Sequence, residues 1–92
     1  MKPDFTNLRE LLKNESYPHR YVHKFIGLAT PAFSESLTVL EADFPTAQRV
    51  GERRSGGDRF IAYTYELHAE SPEDIVRLLE ATHLLADLKM IL

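Results

Sequence analysis

A chain of 92 residues suits one small domain, and its 43% hydrophobic and 27% charged residues are typical of a soluble globular protein. The lack of cysteine excludes disulfides, thiolate nucleophiles and cysteine-ligated zinc, and a formal net charge of −3 argues against a dedicated nucleic-acid binder. Because the N-terminus is too polar for a signal peptide and no apolar run approaches the roughly 20 residues of a membrane span, we expect a cytoplasmic protein with no membrane contact.

The first part of the chain predicts a short helix followed by a strand. Leucines at helical spacing indicate a helix over residues 6–14, and aromatic and β-branched residues alternate over residues 19–27 as they do in strands. The side chains expected on one face of this strand are Tyr21, His23 and Phe25, and those on the other are Val22, Lys24 and Ile26. Because both faces carry apolar residues, we expect this strand to lie inside a sheet.

Residues 30–45 predict a second helix. Thr30 is the expected N-cap, Pro31 fits the first helical position and Pro45 ends the helix. Steps of four, three and four residues give one apolar stripe, formed by Phe33, Leu37, Leu40 and Phe44.

The next segment predicts a hairpin. Residues 46–54 form a polar strand that suits a sheet edge, and residues 55–58, "SGGD", form the turn. Residues 59–69 give the clearest strand pattern in the chain. Four of its side chains are expected on one face: Ile61, Tyr63, Tyr65 and Leu67.

A third helix and a last strand complete the pattern. Ser71, Pro72 and Asp74 form a capping-box signal for a helix over residues 71–85. Residues 86–92 predict a strand with Leu88, Met90 and Leu92 on one face.

This order, a helix and then βαββαβ, predicts an α+β fold of the ferredoxin-like type. Right-handed crossovers would give a four-stranded antiparallel sheet with two helices on one face. We therefore expect an N-terminal helical extension over residues 1–15 and a single ferredoxin-like domain over residues 16–92.

Several short segments occur in an order typical of one family. They are Tyr17-Pro18 before the first strand, Lys24 with Gly27, the Ser55-Gly56-Gly57 hairpin with Phe60, and Lys89 before Met90-Ile91-Leu92. On these segments the chain resembles the YbeD-like family of small bacterial proteins over roughly residues 16–92. The resemblance implies a ferredoxin-like fold akin to ACT regulatory modules, a regulatory or partner-binding role and no catalytic activity, since that family is uncharacterised.

Arginines around the predicted hairpin are the first candidate site. Because "SGGD" lies between two strands, it does not supply the helix N-terminus that phosphate-binding glycine loops use. The hairpin has more basic than acidic residues on an acidic chain, which indicates an acidic partner. The partner-contact candidates are Arg53, Arg54, Arg59 and Phe60.

The loop between the first strand and the second helix is the candidate effector site. Its residues are Gly27, Leu28, Ala29 and Thr30, where amide groups near a helix start are available to a ligand. The alternative is a tight connection in which glycine and proline serve geometry alone.

Other chemistry finds little support in the sequence. His19 and His23 share a strand face but lie about 13 Å apart, too far for one metal ion, so we expect no metal site and no cofactor. The serines are explained by caps, turns and helix surface, and we expect no enzyme.

The sheet face opposite the helices is expected to carry exposed apolar residues. Such a patch serves a partner or a homodimer, unless the N-terminal helix covers it. We therefore expect a non-enzymatic regulatory or partner-binding module, and the alternative is a nucleic-acid-binding module that uses the basic hairpin of residues 49–59.

Overall fold

The computed structural model describes residues 4–92, which form three helices and four strands. In chain order they are α1 (Thr6–Leu12), β1 (His19–Leu28), α2 (Pro31–Asp43), β2 (Ala47–Ser55), β3 (Phe60–Ala69), α3 (Pro72–Thr82) and β4 (Leu88–Ile91). The predicted ferredoxin-like α+β fold is confirmed: the strands form one sheet in the order β2-β3-β1-β4, and every neighbouring pair is antiparallel.

The alternation of inward and outward side chains predicted for β1 and β3 is confirmed in the structure. His23 and Phe25 of β1 are buried, as are the four side chains predicted to point inward from β3. Phe25 stacks on Tyr65 with ring centroids 5.7 Å apart. The helices bury their own stripes on the same face, chiefly Phe33, Leu37, Leu40, Ile75, Val76, Leu78 and Leu79. Each fully buried large apolar side chain contributes about 1.5–3 kcal/mol.

The start of α3 differs from the predicted capping box. The Ser71 side chain makes no cap hydrogen bond. Instead, the Asp74 carboxylate accepts a hydrogen bond from the Glu70 backbone amide at 2.9 Å. The acidic residue of the first turn thus provides an acceptor for a backbone amide just before the helix. The helix also ends at Thr82 rather than at residue 85.

The predicted facing of β4 is wrong, because the strand carries a bulge. Ile91 lies opposite Phe25 and Met90 opposite Ile26, but Leu88 lies opposite Gly27, which leaves Lys89 as an extra residue. Leu88 and Ile91 consequently pack on the core, while Met90 and Leu92 lie exposed.

β2 lies at the sheet edge, as predicted, and also carries a bulge. Arg49 lies opposite Tyr65 and Gly51 opposite Thr64, so Val50 is the extra residue. The hairpin turns through Gly56, Gly57 and Asp58, all with φ between 62° and 67°, a region in which glycine is unstrained.

The N-terminal helix packs on α3 and leaves the far side of the sheet uncovered. Leu12 of α1 is buried in the core, Arg9 donates to the Glu73 carboxylate at 2.7 Å, and the Phe5 ring lies 6.0 Å from that of His83. The sequence left open whether the N-terminal helix covers the sheet face opposite α2 and α3, and in the structure it does not. No helix in the described part of the chain is long and apolar enough to cross a membrane.

Candidate functional site

The sheet presents one face to the helices and the other to solvent. Partners in an antiparallel register share a face, so the strand pairings identify the outward side chains. We call this surface the open face; its residues are Arg20, Val22, Lys24, Ile26, Leu28, Gln48, Gly51, Arg53, Ser55, Phe60, Ala62, Thr64, Glu66, His68, Met90 and Leu92.

An apolar patch occupies the β1–β4 side of the open face. Val22 is 47% exposed, Met90 55% and Leu92 65%. The Leu92 amide donates to the Lys24 carbonyl at 2.9 Å, so pairing extends to the last residue and keeps the Leu92 side chain beside that of Lys24. Sequence reasoning missed the contribution of Met90 and Leu92. The near-continuous apolar run "LKMIL" could have indicated this contribution, because such a run places apolar side chains on both faces of a strand.

The open face is basic although the chain is acidic. Its charged residues are Arg20, Lys24, Arg53 and Glu66. Arg20 is paired with Glu66 at 3.1 Å. Neither Lys24 nor Arg53 has an acidic partner among the residues that the structure describes. Lys24 therefore lies beside the apolar patch, and Arg53, on the opposite edge strand β2, adds a second uncompensated positive charge to the open face.

The predicted partner-contact residues do not form one surface. Arg53 lies opposite Ala62 on the open face, whereas Arg54 lies opposite Ile61 on the face covered by the helices. Arg59 lies in the turn, with its guanidinium 5.8 Å from the centre of the Phe60 ring. The open face thus combines Arg53 with Phe60 and, at its tip, Arg59, but excludes Arg54.

Arg49, which also belongs to the basic hairpin, is committed to the fold. Its guanidinium lies 4.8 Å from the centre of the Tyr63 ring and 2.9 Å from the Glu41 carboxylate. The Tyr65 hydroxyl donates to the same carboxylate at 2.7 Å. Burial, followed by the hydrogen bond to Glu41, raises the pKa of Tyr65, so this hydroxyl remains a donor. The cluster fastens β2 and β3 to α2.

The predicted effector loop uses its own amide groups internally. The Leu28 amide donates to the Asp87 carbonyl, that of Ala29 to the Arg59 carbonyl, and that of Thr30 to the Leu28 carbonyl, all within 3.0 Å. The Thr30 hydroxyl accepts the Phe33 amide at 3.2 Å and donates to the Asp87 carboxylate at 2.6 Å. These hydrogen bonds hold the loop in place and occupy the amides of Leu28, Ala29 and Thr30.

Gly27 serves packing. A β-carbon built at this position would lie 2.5–2.8 Å from the Phe33 ring, closer than atoms in proteins approach. The ring therefore lies flat over the end of β1. It also forms part of the α2 cleft, a depression of about 290 Å³ lined by Ala29, Thr30, Pro31, Phe33, Ser34, Arg54, Ile61 and Tyr63.

Buried His23 has a structural role. Its Nε2 lies 2.9 Å from the Thr82 hydroxyl, which itself donates to the Leu78 carbonyl at 2.7 Å. Since that hydroxyl proton is already used, His23 donates through Nε2. Burial, with a smaller effect of nearby His83, lowers the pKa of His23 to about 4. Within residues 4–92, no three histidine or acidic side chains cluster closely enough to hold a metal ion.

Comparison with known proteins identifies a family. A family model described as "Protein of unknown function (DUF493)" matches residues 13–92. No curated protein and no solved structure matches the chain.

Proposed function

The chain belongs to the DUF493 family, the uncharacterised family that its YbeD-like resemblance indicated. Because family membership assigns no function, we propose one from the geometry of the structure. We propose that the protein is a non-enzymatic regulatory module that docks an acidic protein partner on its open face. The observation that carries this proposal is an open face that combines an exposed apolar patch with unpaired Lys24 and Arg53, on a chain of net charge −3.

The combination of exposed apolar and basic groups favours a protein partner. Burying Val22, Met90 and Leu92 against a partner removes apolar surface from water, which supplies affinity. Lys24 and Arg53 then select acidic over basic surfaces and accelerate encounter. Neither charge would have to abandon an ion pair with another described residue in order to bind.

A second copy of the chain fits the same surface less well. A two-fold symmetric dimer places the open face against itself, so the net positive charge of one copy's face would lie against that of the other. Like charges brought together in this way oppose association. The charges therefore favour an acidic partner over a homodimer.

The nucleic-acid alternative lacks a stacking platform. Domains of this topology bind RNA by stacking bases on aromatic residues of the open sheet. Of the described sheet residues, Phe60 is the phenylalanine or tyrosine on this open face, where His68 also lies, because Tyr63 and Tyr65 point into the core. The hairpin of residues 49–59 also divides its arginines between the two faces. These features support a protein partner.

A non-enzymatic role agrees with the contacts of the described residues. His23 and Thr82 bring together a potential base and a hydroxyl, as hydrolytic sites do. Both are buried, however, and the Thr82 proton is bound to a backbone carbonyl, so no substrate reaches them.

The test is native co-purification from the source cell with two matched variants. Lys24→Glu/Arg53→Glu reverses the charge of the open face, and Arg54→Glu makes the same change on the other face of β2. We expect an acidic protein with wild type and Arg54→Glu, and at least a tenfold lower recovery with the double variant. Equal recovery with the double variant, or recovery abolished by nuclease, would reject the proposed docking mode.

A further inference from the structure

The α2 cleft lies on the other side of the sheet from the open face and has a different chemical character. Its floor and walls are apolar, formed by Ala29, Pro31, Phe33 and Ile61, and its polar groups include Arg54 and Tyr63. At about 290 Å³ it is at the small end of ligand-binding pockets. It is therefore sized for a small molecule rather than for a polypeptide.

Tyr63, a residue of the core, brings to this cleft a hydroxyl without a partner among the described residues. Its side chain is in the core and the residue is only 5% exposed. Buried tyrosines normally find a hydrogen-bond partner, as Tyr65 does in Glu41. No described residue hydrogen-bonds to the Tyr63 hydroxyl. In the described part of the chain, every fully enclosed side-chain oxygen has a partner, so the Tyr63 hydroxyl, which has none, is accessible. The α2 cleft is a depression that Tyr63 lines.

Arg54 supplies the second polar group. It lies on the same face as Ile61 and has no acidic partner among residues 4–92. Burial raises the pKa of Tyr63, while the charges of Arg49 and Arg54 oppose part of that rise, so the hydroxyl stays protonated beside a cationic neighbour. The nearby carboxylates Glu41 and Glu52 both contact Arg49, which offsets their repulsion of an anion.

We propose that the α2 cleft binds a small organic acid. Its carboxylate accepts hydrogen bonds from the Arg54 guanidinium and the Tyr63 hydroxyl, and its hydrocarbon part lies against Phe33 and Ile61. Guanidinium groups match carboxylates with two parallel hydrogen bonds. The adjacent start of α2, at Pro31, adds the positive end of a 13-residue helix. This site is separate from the open face and does not depend on the protein-docking proposal.

The test is an NMR titration of the full chain with butyrate, isovalerate and benzoate, and with inorganic phosphate and benzamide for comparison. We expect saturable shifts of the Thr30, Ser34 and Arg54 amides with at least one carboxylate and none with benzamide. Arg54→Gln should raise Kd at least tenfold and Tyr63→Phe about three- to tenfold. Arg53→Gln, a matched change on the other face, should leave Kd unchanged.

Three results would overturn the site. They are the absence of saturable shifts with all three carboxylates, an unchanged Kd in Arg54→Gln, and binding of phosphate without binding of any carboxylate. Arg54 is exposed on the edge strand, so its variant keeps the test valid even where Tyr63→Phe disturbs the core.

Discussion

Arg53 and Arg54 are consecutive residues of β2 that lie on opposite faces of the sheet, Arg53 opposite Ala62 and Arg54 opposite Ile61. The first belongs to the open face and the second to the α2 cleft. Each proposed site therefore contains one of two adjacent arginines. A substitution of Arg53 is the matched control for the same substitution of Arg54, and the reverse, because both change the net charge equally on the same strand.

Gly27→Ala should destabilise the fold because the added methyl group would overlap the Phe33 ring. Overpacking of this kind costs about 1–3 kcal/mol. Gly51→Ala is the control, since a β-carbon there has its nearest neighbour, in Thr64, at 3.7 Å. Urea unfolding should show a lower midpoint for Gly27→Ala than for Gly51→Ala. Equal midpoints would mean that Phe33 moves without cost.

Two neighbouring residues of β4 should separate stability from binding. Ile91 packs on the core, whereas Met90 is 55% exposed on the open face. Ile91→Ala should lower the free energy of unfolding by about 1–3 kcal/mol, less than for a fully buried isoleucine. Met90→Ser should leave stability within about 0.5 kcal/mol and weaken partner recovery. Thermal unfolding and co-purification of both variants check this, and the reverse pattern would contradict the bulge at Lys89.

Arg49 should matter for stability and not for binding. Arg49→Met keeps the length of the side chain but removes the groups that contact Glu41, Tyr65 and the Tyr63 ring. The loss of a charge-assisted hydrogen bond costs about 1.5–3 kcal/mol, reduced here because a third of the pair is exposed. Arg53→Met is the exposed control, expected within about 0.5 kcal/mol of wild type. Chemical denaturation of both variants would show whether the cluster is as important as its geometry indicates.

His23 should make the fold sensitive to mild acid. Its pKa falls from about 6.5 in the unfolded chain to about 4 in the folded one. Between these values the unfolded state binds the extra proton, so stability is full above pH 6.5 and declines as the pH falls toward 4. The full loss, reached below both pKa values, amounts to about 3–4 kcal/mol.

Urea unfolding between pH 4.5 and 7.5 measures this slope. His23→Gln, which keeps a donor for Thr82 but does not titrate, should reduce the slope. His68 is an exposed histidine of β3, and the control variant His68→Gln should keep the wild-type slope. A His23→Gln slope equal to that of wild type would assign the acid sensitivity to other groups.

The sequence was most informative where burial imposes a simple period. The inward positions of β3, from Ile61 to Leu67, follow from alternation, because a half-buried strand must place every second side chain in the core. Thr30 and Pro31 mark the start of α2 for an equally local reason. Such features depend on the residues of one segment and can be predicted from it.

The sequence did not reveal features that depend on pairing between segments. The bulges at Val50 and Lys89 add a residue whose position depends on pairing with the neighbouring strand, and each changes which side chains reach the open face. The docking of α1 on α3 depends on contacts such as Arg9 with Glu73, which are 64 residues apart. For the same reason, the sequence grouped Arg53 with Arg54 although the sheet separates them.

The most direct measurement of the open-face proposal is photo-crosslinking in the source cell. A photoreactive phenylalanine analogue would replace Val22 on the open face in one chain and Val39, 63% exposed on α2, in another. We predict a crosslinked protein from position 22, attached through a segment rich in Asp or Glu, and none from position 39. A crosslinked partner from position 39 with none from position 22 would contradict the account and move the docking surface to the helices.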